Sequence, residues 1–174
     1  VDADGCINQN TINNEIVNVN PLPNMSIAVN PNPICSGDNS TLIMNNNIGS
    51  PPFSVDYSIT DANGITTANE VFGSGGFNAL INPIITTDYT LTSITDDSTC
   101  TSSLSAVTTL VVNEIPQLIT SYANELCDGD LVEIGLDFTA GTPPFNVDYT
   151  FNGAINFFPA ALFKIGVYLI SFSF

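Results

Sequence analysis

The chain has 174 residues and carries 17 acidic side chains but a single basic one, Lys164, and no histidine, for a formal net charge of −16. Such a chain cannot neutralise phosphates, which excludes nucleic-acid binding and charge-driven adhesion to anionic lipid. Hydrophobic residues make up 44% of the sequence, which predicts a buried core rather than an acidic disordered region.

Short strands separated by turn residues follow one another along the chain from residue 21 onward. The Asn63-Gly64 pair predicts a hairpin turn, because both residue types accept a positive φ, and the glycine-rich segment 73–76 predicts a loop. We predict seven strands, at Met25–Asn30, Ser40–Met44, Phe53–Ile59, Ile65–Phe72, Phe77–Ile81, Asp88–Thr95 and Ser103–Val112. Seven short strands and no helical period predict an all-β fold of the immunoglobulin-like β-sandwich type.

Two segments recur along the chain at the same distance. Residues 49–57 (Gly-Ser-Pro-Pro-Phe-Ser-Val-Asp-Tyr) return as residues 141–149 (Gly-Thr-Pro-Pro-Phe-Asn-Val-Asp-Tyr), so position 49 recurs at 141 with an offset of 92. The motif that begins at Cys35 returns at Cys127 with the same offset. A fixed period of this kind is the signature of a repeat architecture.

The period divides the chain into tandem units. Residues 1–20 are predicted to be the C-terminal part of a preceding repeat, residues 21–113 a complete repeat, and residues 114–174 the N-terminal two-thirds of the next one. The boundary segments contain proline, which fixes φ and favours extended backbone. We therefore expect short, stiff joints and a semi-rigid rod.

The cysteines Cys6, Cys35, Cys100 and Cys127 have no CxxC spacing and no histidine to complete a zinc site. We therefore predict disulfides and an oxidising compartment. Cys35 follows the first predicted strand and Cys100 follows the sixth, which places them at opposite ends of a sandwich. Pairing within a repeat and pairing between neighbouring repeats both stay open, and the opposite ends favour pairing between repeats.

The residue inventory argues against catalysis. Without histidine or arginine there is no Ser-His or Cys-His nucleophile and no arginine clamp for an anion. A pair of carboxylates could in principle hydrolyse a glycosidic bond. Asp96 and Asp97 are adjacent in a predicted turn, and Asp56 and Asp148 each lie within a predicted strand beside aromatic residues. We interpret them instead as turn residues and outward-facing strand residues, and we predict that the chain is not an enzyme.

Aromatic residues have structural interpretations. We predict that Tyr89 and Tyr168 open the sixth strand of their units, and that the aromatic residues Phe53, Tyr57, Phe145 and Tyr149 belong to the core. The most apolar stretch, residues 157–174, is interrupted by charged and small residues and is interpreted as strands. We expect no membrane insertion, and no signal peptide is evident.

Several motifs together resemble a known group of repeats: Ile-Cys-Ser-Gly-Asp at 34–38, Gly-Ser-Pro-Pro-Phe at 49–53, Asp-Tyr-Thr-Leu-Thr-Ser at 88–93, the 96–100 turn that ends in Cys100, and Val-Val-Asn at 111–113. This pattern resembles the immunoglobulin-like and PKD-like tandem repeats of Bacteroidetes cell-surface adhesins, of the SprB gliding-motility type or related type IX-secreted filament proteins. The likeness covers nearly the whole chain, and the apolar segment 150–174 departs from it. The resemblance implies an extracellular location at the cell surface and a structural stalk or filament.

The same resemblance bears on partners and modification. Partners would be neighbouring repeats, other copies in a filament, or an extracellular glycan or protein. Asp97-Ser98-Thr99 resembles a short O-glycosylation motif of Bacteroidetes, which makes Ser98 a candidate acceptor. Two alternatives stay open: a glycan- or protein-binding module, in which calcium assists, and an accessory region of a secreted hydrolase.

Calcium is the one cofactor considered; otherwise none is expected. Six loop carboxylates offer hard oxygen ligands, although no complete EF-hand pattern is present. Aspartate also favours turns for backbone reasons, so a structural role is the competing interpretation. The candidate ligands are Asp2, Asp4, Asp96, Asp97, Asp128 and Asp130, and an ion among them would lie between repeats.

Overall fold

The structure, a computed structural model, describes residues 3–6, 16–122, 131–151, 154–158 and 167–173. Within these ranges every regular element is a strand. In chain order the strands are β1 (Asn24–Asn30), β2 (Ile34–Cys35), β3 (Ser40–Ile48), β4 (Phe53–Asp61), β5 (Gly64–Phe72), β6 (Phe77–Ile81), β7 (Thr87–Thr95), β8 (Thr101–Ser103), β9 (Val107–Leu110), β10 (Val112–Asn113), β11 (Gln117–Tyr122), β12 (Leu131–Ala140), β13 (Val147–Phe151), β14 (Ala154–Phe158) and β15 (Val167–Ser173). The predicted all-β fold is confirmed.

Eight of the strands β1 to β10 form a sandwich of two sheets, and β2 and β10 pair separately. One sheet has the order β1-β3-β6, and the other has the order β5-β4-β7, with β8 and β9 both paired to β7. Alternate residues point between the sheets: Phe53, Val55 and Tyr57 of β4 are buried, whereas Asp56 is exposed. The core consists of Met25, Ile34, Leu42, Met44, Phe53, Val55, Tyr57, Tyr89, Leu91, Ile94 and Leu110.

A β-bulge changes the alternation within β7. Asp56 pairs with Ser93 and Tyr57 pairs with Leu91, so Thr92 is the extra residue of the pair β4–β7. Because one residue is inserted, the inward-facing positions shift from odd to even numbers, and both Leu91 and Ile94 are fully buried. A sequence read in strict period two places Ile94 on the wrong face.

The Asn63-Gly64 turn prediction is confirmed, with a small shift. Asp61 pairs with Gly64 across the β4–β5 hairpin, so the two loop residues are Ala62 and Asn63. The Asp61 side chain accepts the Asn63 backbone N–H at 2.7 Å, which is an Asx turn. The predicted 73–76 loop also lies between strands.

The predicted strand 103–112 is divided in the structure. The Leu104 N–H donates to the Thr92 carbonyl, and the Leu91 N–H donates to the Ala106 carbonyl, so β8 and β9 follow one another along the same edge of β7 with an irregularity at residues 104–106. A third piece, β10, pairs in parallel with β2, a two-residue strand that the sequence pattern did not indicate. Two-residue strands are too short to show a period.

Strands β11 to β15 form two further sheets, of order β11-β12-β15 and β13-β14. In β11–β12 the register shifts between Gln117 and Leu118, as the β1–β3 register shifts between Asn24 and Met25. Leu136, Phe138 and Phe145 are buried, and the rings of Phe138 and Phe145 stack with centroids 4.2 Å apart. The edge pairing of the first sandwich therefore recurs in the second half of the chain.

The expectation for Tyr168 was wrong. Strand β15 pairs antiparallel with β12, as β6 pairs with β3, and Tyr168 lies opposite Leu136 as Phe77 lies opposite Met44. Strand β15, which contains Tyr168, is therefore the counterpart of β6. It is not the counterpart of β7, the strand that carries Tyr89. The segment between the turn and Tyr168 is apolar and carries no landmark residue, so its register could not be read from the sequence.

Candidate functional site: the two ends of the first sandwich

One end of the first sandwich, here called the N-terminal end, is built around a proline–glycine–phenylalanine corner. Gly49 has a φ of 119°, and a Cβ at this position would lie 2.8 Å from Phe53 Cε1 and 3.0 Å from Pro23 Cβ. Only glycine fits such a close approach in the left-handed region. Pro23 and Phe53 are both fully buried, so the corner anchors the start of the repeat to its core.

Asp96 completes the N-terminal end. Its carboxylate accepts the Ser50 backbone N–H at 3.2 Å and the Cys100 backbone N–H at 3.1 Å. The adjacent Asp97 N–H donates to the Ser50 carbonyl at 2.9 Å. Asp96 is only 5% exposed, so its negative charge is held by backbone dipoles that fix two loops against each other.

The opposite end, here called the C-terminal end, is where β2 meets β10. The Ile34 and Ser36 N–H groups donate to the carbonyls of Val111 and Asn113. The Asn32 side chain donates to the Thr109 carbonyl at 2.8 Å and accepts the Val111 N–H at 2.9 Å. These bonds tie the last strand of the repeat to the segment that follows β1.

The corner of the N-terminal end recurs after the C-terminal end. A Cβ on Gly141, whose φ is 94°, would lie 2.9 Å from Pro116 Cα and 3.0 Å from Phe145 Cε1. These three residues follow Pro23, Gly49 and Phe53 by 93, 92 and 92 positions. The Glu114 carboxylate accepts the Gly141 N–H at 3.4 Å, an interaction that Pro21 at the matching position cannot make.

The second corner lies beside the C-terminal end of the first sandwich. Ser36 shares a cavity of about 240 Å³ with Glu114, Ile115, Gln117 and Ala140. Residues from the end of one unit and the start of the next therefore line a common space.

Cys35 and Cys100 lie at opposite ends of the first sandwich, as the sequence predicted. Cys35 ends β2 at the C-terminal end, and Cys100 lies in the Asp96 loop at the N-terminal end. Neither is bonded to the other. Cys6 is exposed, and Cys127 lies outside the described residues, so the predicted disulfides of these two stay predictions.

The calcium candidates are not brought together in the described part of the chain. There, no cluster of three or more acidic, cysteine or histidine side chains could hold a metal ion. Asp96 spends both carboxylate oxygens on backbone N–H groups, whereas Asp4 and Asp97 are exposed. Asp2, Asp128 and Asp130 lie outside the described residues, so calcium binding stays a prediction for them.

Ser98 lies half-buried in the same loop as Cys100, and its carbonyl accepts the Cys100 thiol at 3.9 Å. Thr99 beside it has a φ of 60°, which is uncommon for a residue that is not glycine. Modification of Ser98 stays a prediction. The core interpretation of Phe53, Tyr57 and Phe145 is confirmed, and the side chain of Tyr149 lies outside the described ones.

The outer face of the β5-β4-β7 sheet carries a polar network that the sequence did not single out. Asp56 accepts the Asn69 side-chain amide at 2.7 Å and the Ser93 hydroxyl at 2.7 Å. These two bonds hold the pKa of the Asp56 carboxyl below its usual value, with the Ser93 bond the larger cause. The prediction that Asp56 faces outward is confirmed, but its cross-strand partners could not be predicted without the register of the sheet.

Burial shifts the pKa of two core tyrosines upward, whereas the pKa of Asp56 is lowered. Removal from water raises the pKa of the Tyr57 and Tyr89 hydroxyls, because it disfavours the charged form. Nearby negative charge adds to the effect, from Glu70 at Tyr57. Both tyrosines therefore stay neutral over the physiological range and serve the core.

In the described part of the chain no helix is long and apolar enough to span a membrane. Comparison with known proteins shows no matching protein-family model and no matching curated protein. A solved structure, described as giving insight into host cell surface retention of a 1.5-MDa bacterial ice-binding adhesin, is similar with a TM-score of 0.39 and 10% sequence identity. The match covers 89% of this chain and 55% of that one, so this chain spans about half its length. At that TM-score the likeness supports no conclusion about function.

Proposed function

We propose that the chain is a stalk segment of an extracellular cell-surface adhesin or filament, in which tandem sandwiches hold a distal region away from the cell. One observation carries the proposal: the corner of Pro23, Gly49 and Phe53 recurs 92 to 93 residues later, directly after the end of the first sandwich. Because the same corner begins the next unit directly after the first one ends, further units can be added in tandem without limit.

The short connection between β10 and β11 favours a stiff rod over a flexible chain of domains. Only three residues separate β10 from β11, and one of them is Pro116, which packs against Gly141. A connection this short, anchored by a buried corner, restricts the bending of one unit against the next. The acidic composition keeps such a rod soluble and discourages unspecific association.

The stalk proposal also gives the cysteines a role, namely to link neighbouring units. In an array, the C-terminal end with Cys35 faces the N-terminal end of the next unit, where the counterpart of Cys100 lies. Oxidation would join the two thiols and pass two electrons and two protons to a disulfide-bearing oxidoreductase outside the cytoplasm. Covalent bonds across the joints would limit extension under load.

Electron microscopy of the intact secreted protein tests the proposal. We expect a rod whose length is proportional to the repeat number, with at least ~30 Å per unit for strands of nine residues. Deletion of residues 21–113 should shorten the rod by one such step. A compact particle, or a length that does not change on deletion, would exclude the stalk. A catalytic domain elsewhere in the open reading frame would favour the hydrolase alternative.

A further inference from the structure

Asp56 is fixed in one orientation although it is exposed. Its two carboxylate oxygens accept one bond each, from the Asn69 amide at 2.7 Å and from the Ser93 hydroxyl at 2.7 Å. The Asn69 amide is held in turn by the Ser54 hydroxyl at 3.1 Å and the Val55 carbonyl at 3.3 Å. Exposed side chains normally sample several rotamers, so this network presents a preorganised polar surface.

A shallow depression adjoins the network. It measures about 400 Å³ and is lined by Asp56, Tyr57, Thr67, Ala68, Asn69 and Thr92. This volume lies within the range of roughly 300–1,000 Å³ that ligand sites occupy. The bulge at Thr92 shapes one wall, where the Thr92 hydroxyl donates to the Asp56 carbonyl at 2.9 Å. Bulges frequently lie beside functional sites because they redirect side chains.

We infer that this depression binds a neutral polyhydroxylated ligand, the hexopyranose unit of a glycan, through Asp56 and Asn69. Each carboxylate oxygen retains a lone-pair position beyond the bond it accepts, so Asp56 accepts two hydroxyl groups of a vicinal diol. The Asn69 amide oxygen and the Thr67 hydroxyl supply the acceptors and donors that a sugar hydroxyl, which does both, requires.

The negative net charge of the chain favours a neutral ligand over an anionic one. With 17 acidic side chains and one lysine, the chain repels anionic sugars such as uronates. A metal ion is a poor occupant, because no group of three or more metal-ligating side chains occurs among the described residues. An amine only donates hydrogen bonds, so it cannot accept the proton of the Thr67 hydroxyl, whereas a sugar hydroxyl can.

The depression lies at a different place from the joints, and all of its lining residues belong to one repeat. It lies on the face of the β5-β4-β7 sheet, away from the two ends, so a unit in an array could still reach a ligand. Asp148 is the counterpart of Asp56 and is also exposed, but it pairs with Phe157 where Asp56 pairs with Asn69. The position that matches Asn69 in the register is therefore a phenylalanine, which cannot donate a side-chain hydrogen bond to Asp148, and Asp148 provides an internal control.

Nuclear magnetic resonance titration of the ¹⁵N-labelled 174-residue chain with methyl hexopyranosides tests the inference. We expect saturable shifts at Asp56, Thr67, Asn69 and Thr92 with a dissociation constant of ~1 mM for at least one epimer. Asp56→Asn should weaken binding at least about tenfold, whereas Asp148→Asn, with the same loss of charge, should leave it unchanged. Thr67→Val gives a second variant that removes one hydroxyl and keeps the shape.

Several outcomes would overturn the inference. They are an absence of saturable shifts with every epimer, shifts that lie elsewhere, equal binding by Asp56→Asn, or a preference for methylamine or glucuronate over the neutral sugar. None of these outcomes affects the length measurement on the intact protein, so the stalk proposal and the sugar site are tested separately.

Discussion

Asp96 and Ser50 lie 46 positions apart in the sequence, and the carboxylate of the first accepts the backbone N–H of the second at 3.2 Å. The same carboxylate accepts the Cys100 N–H at 3.1 Å, so one buried charge joins the loop after β3 to the loop after β7. Both loops belong to the N-terminal end, where a preceding repeat would attach. We therefore expect the stability of the N-terminal end to depend on Asp96.

Replacement of Asp96 by asparagine tests this dependence. The asparagine side chain has one acceptor oxygen for two backbone donors, and its NH₂ group would face one of them. Leaving a buried donor unsatisfied costs about 1–3 kcal/mol, so we expect Asp96→Asn to lower the free energy of unfolding by that amount. In a domain of this size the melting temperature should fall by roughly 4–8 °C per kcal/mol.

Asp97→Asn is the matched control, because it removes the same charge from an exposed neighbour whose backbone, not side chain, bonds Ser50. Its unfolding free energy should stay within about 0.5 kcal/mol of the wild type. Equal effects of the two variants would show that the Asp96 bonds contribute nothing specific.

Gly49 offers a second test, at the proline corner. An alanine there must adopt a φ of 119° and place its Cβ within 3.0 Å of Phe53 and Pro23. The conformational cost of ~1–2 kcal/mol and the overpacking cost of ~1–3 kcal/mol add, so Gly49→Ala should destabilise the repeat by about 2–5 kcal/mol. Urea unfolding measures the change.

Gly73→Ala controls for the general effect of removing a glycine. A Cβ at Gly73 meets no atom within 4 Å, and its φ lies outside the left-handed region. This variant should unfold at the urea concentration of the wild type or slightly above it, since alanine restricts the unfolded chain. A loss of stability at Gly73 equal to that at Gly49 would contradict the corner as the cause.

The fold could be predicted from the sequence because local signals and the period agree. Six of the strands begin within one residue of their predicted starts, since turn residues flank each of them. The recurrence of residues 49–57 at 141–149, with seven of nine residues identical, placed Gly49 and Gly141 at matching positions. Nothing in the local sequence, however, marks β2, whose two residues form a strand only because β10 lies beside them.

The polar network of Asp56 shows where sequence reasoning ends. Asp56 could be placed on the outer face of a strand, but its partners Asn69 and Ser93 come from two different neighbouring strands. Which residues face Asp56 depends on the hairpin register and on the bulge at Thr92, and neither can be read from a period of two. For the same reason Tyr168 was assigned to the wrong strand.

The effect of acid on the melting temperature should reveal the hydrogen bonds of Asp56. Hydrogen bonds from Ser93 and Asn69 lower the pKa of this carboxyl in the folded chain below its ordinary value of 3.8. A group with a depressed folded pKa contributes stability that is complete above its unfolded pKa and is lost as the pH falls through the folded one. We expect the melting temperature of the wild type to fall more between about pH 5 and pH 2 than that of Asp56→Asn.

The difference should be small, because Asp56 is exposed and solvent screens its bonds. Identical pH profiles for the wild type and Asp56→Asn would mean that the Asp56 hydrogen bonds do not persist in solution.

The two cysteines of the first sandwich should never be found in one disulfide. Cys35 lies beside Asn113 at the C-terminal end, Cys100 lies beside Asp96 at the N-terminal end, and the nine residues of β7 separate these ends. At ~3.3 Å per residue the strand spans about 30 Å, whereas a disulfide requires Cα atoms roughly 4.4–6.8 Å apart. We expect non-reducing peptide mapping of the intact secreted protein to recover peptides that join the Cys35 position of one repeat to the Cys100 position of the next. A peptide joining Cys35 to Cys100 of the same repeat would contradict the sandwich topology itself, because no rearrangement short of unfolding brings the two ends together.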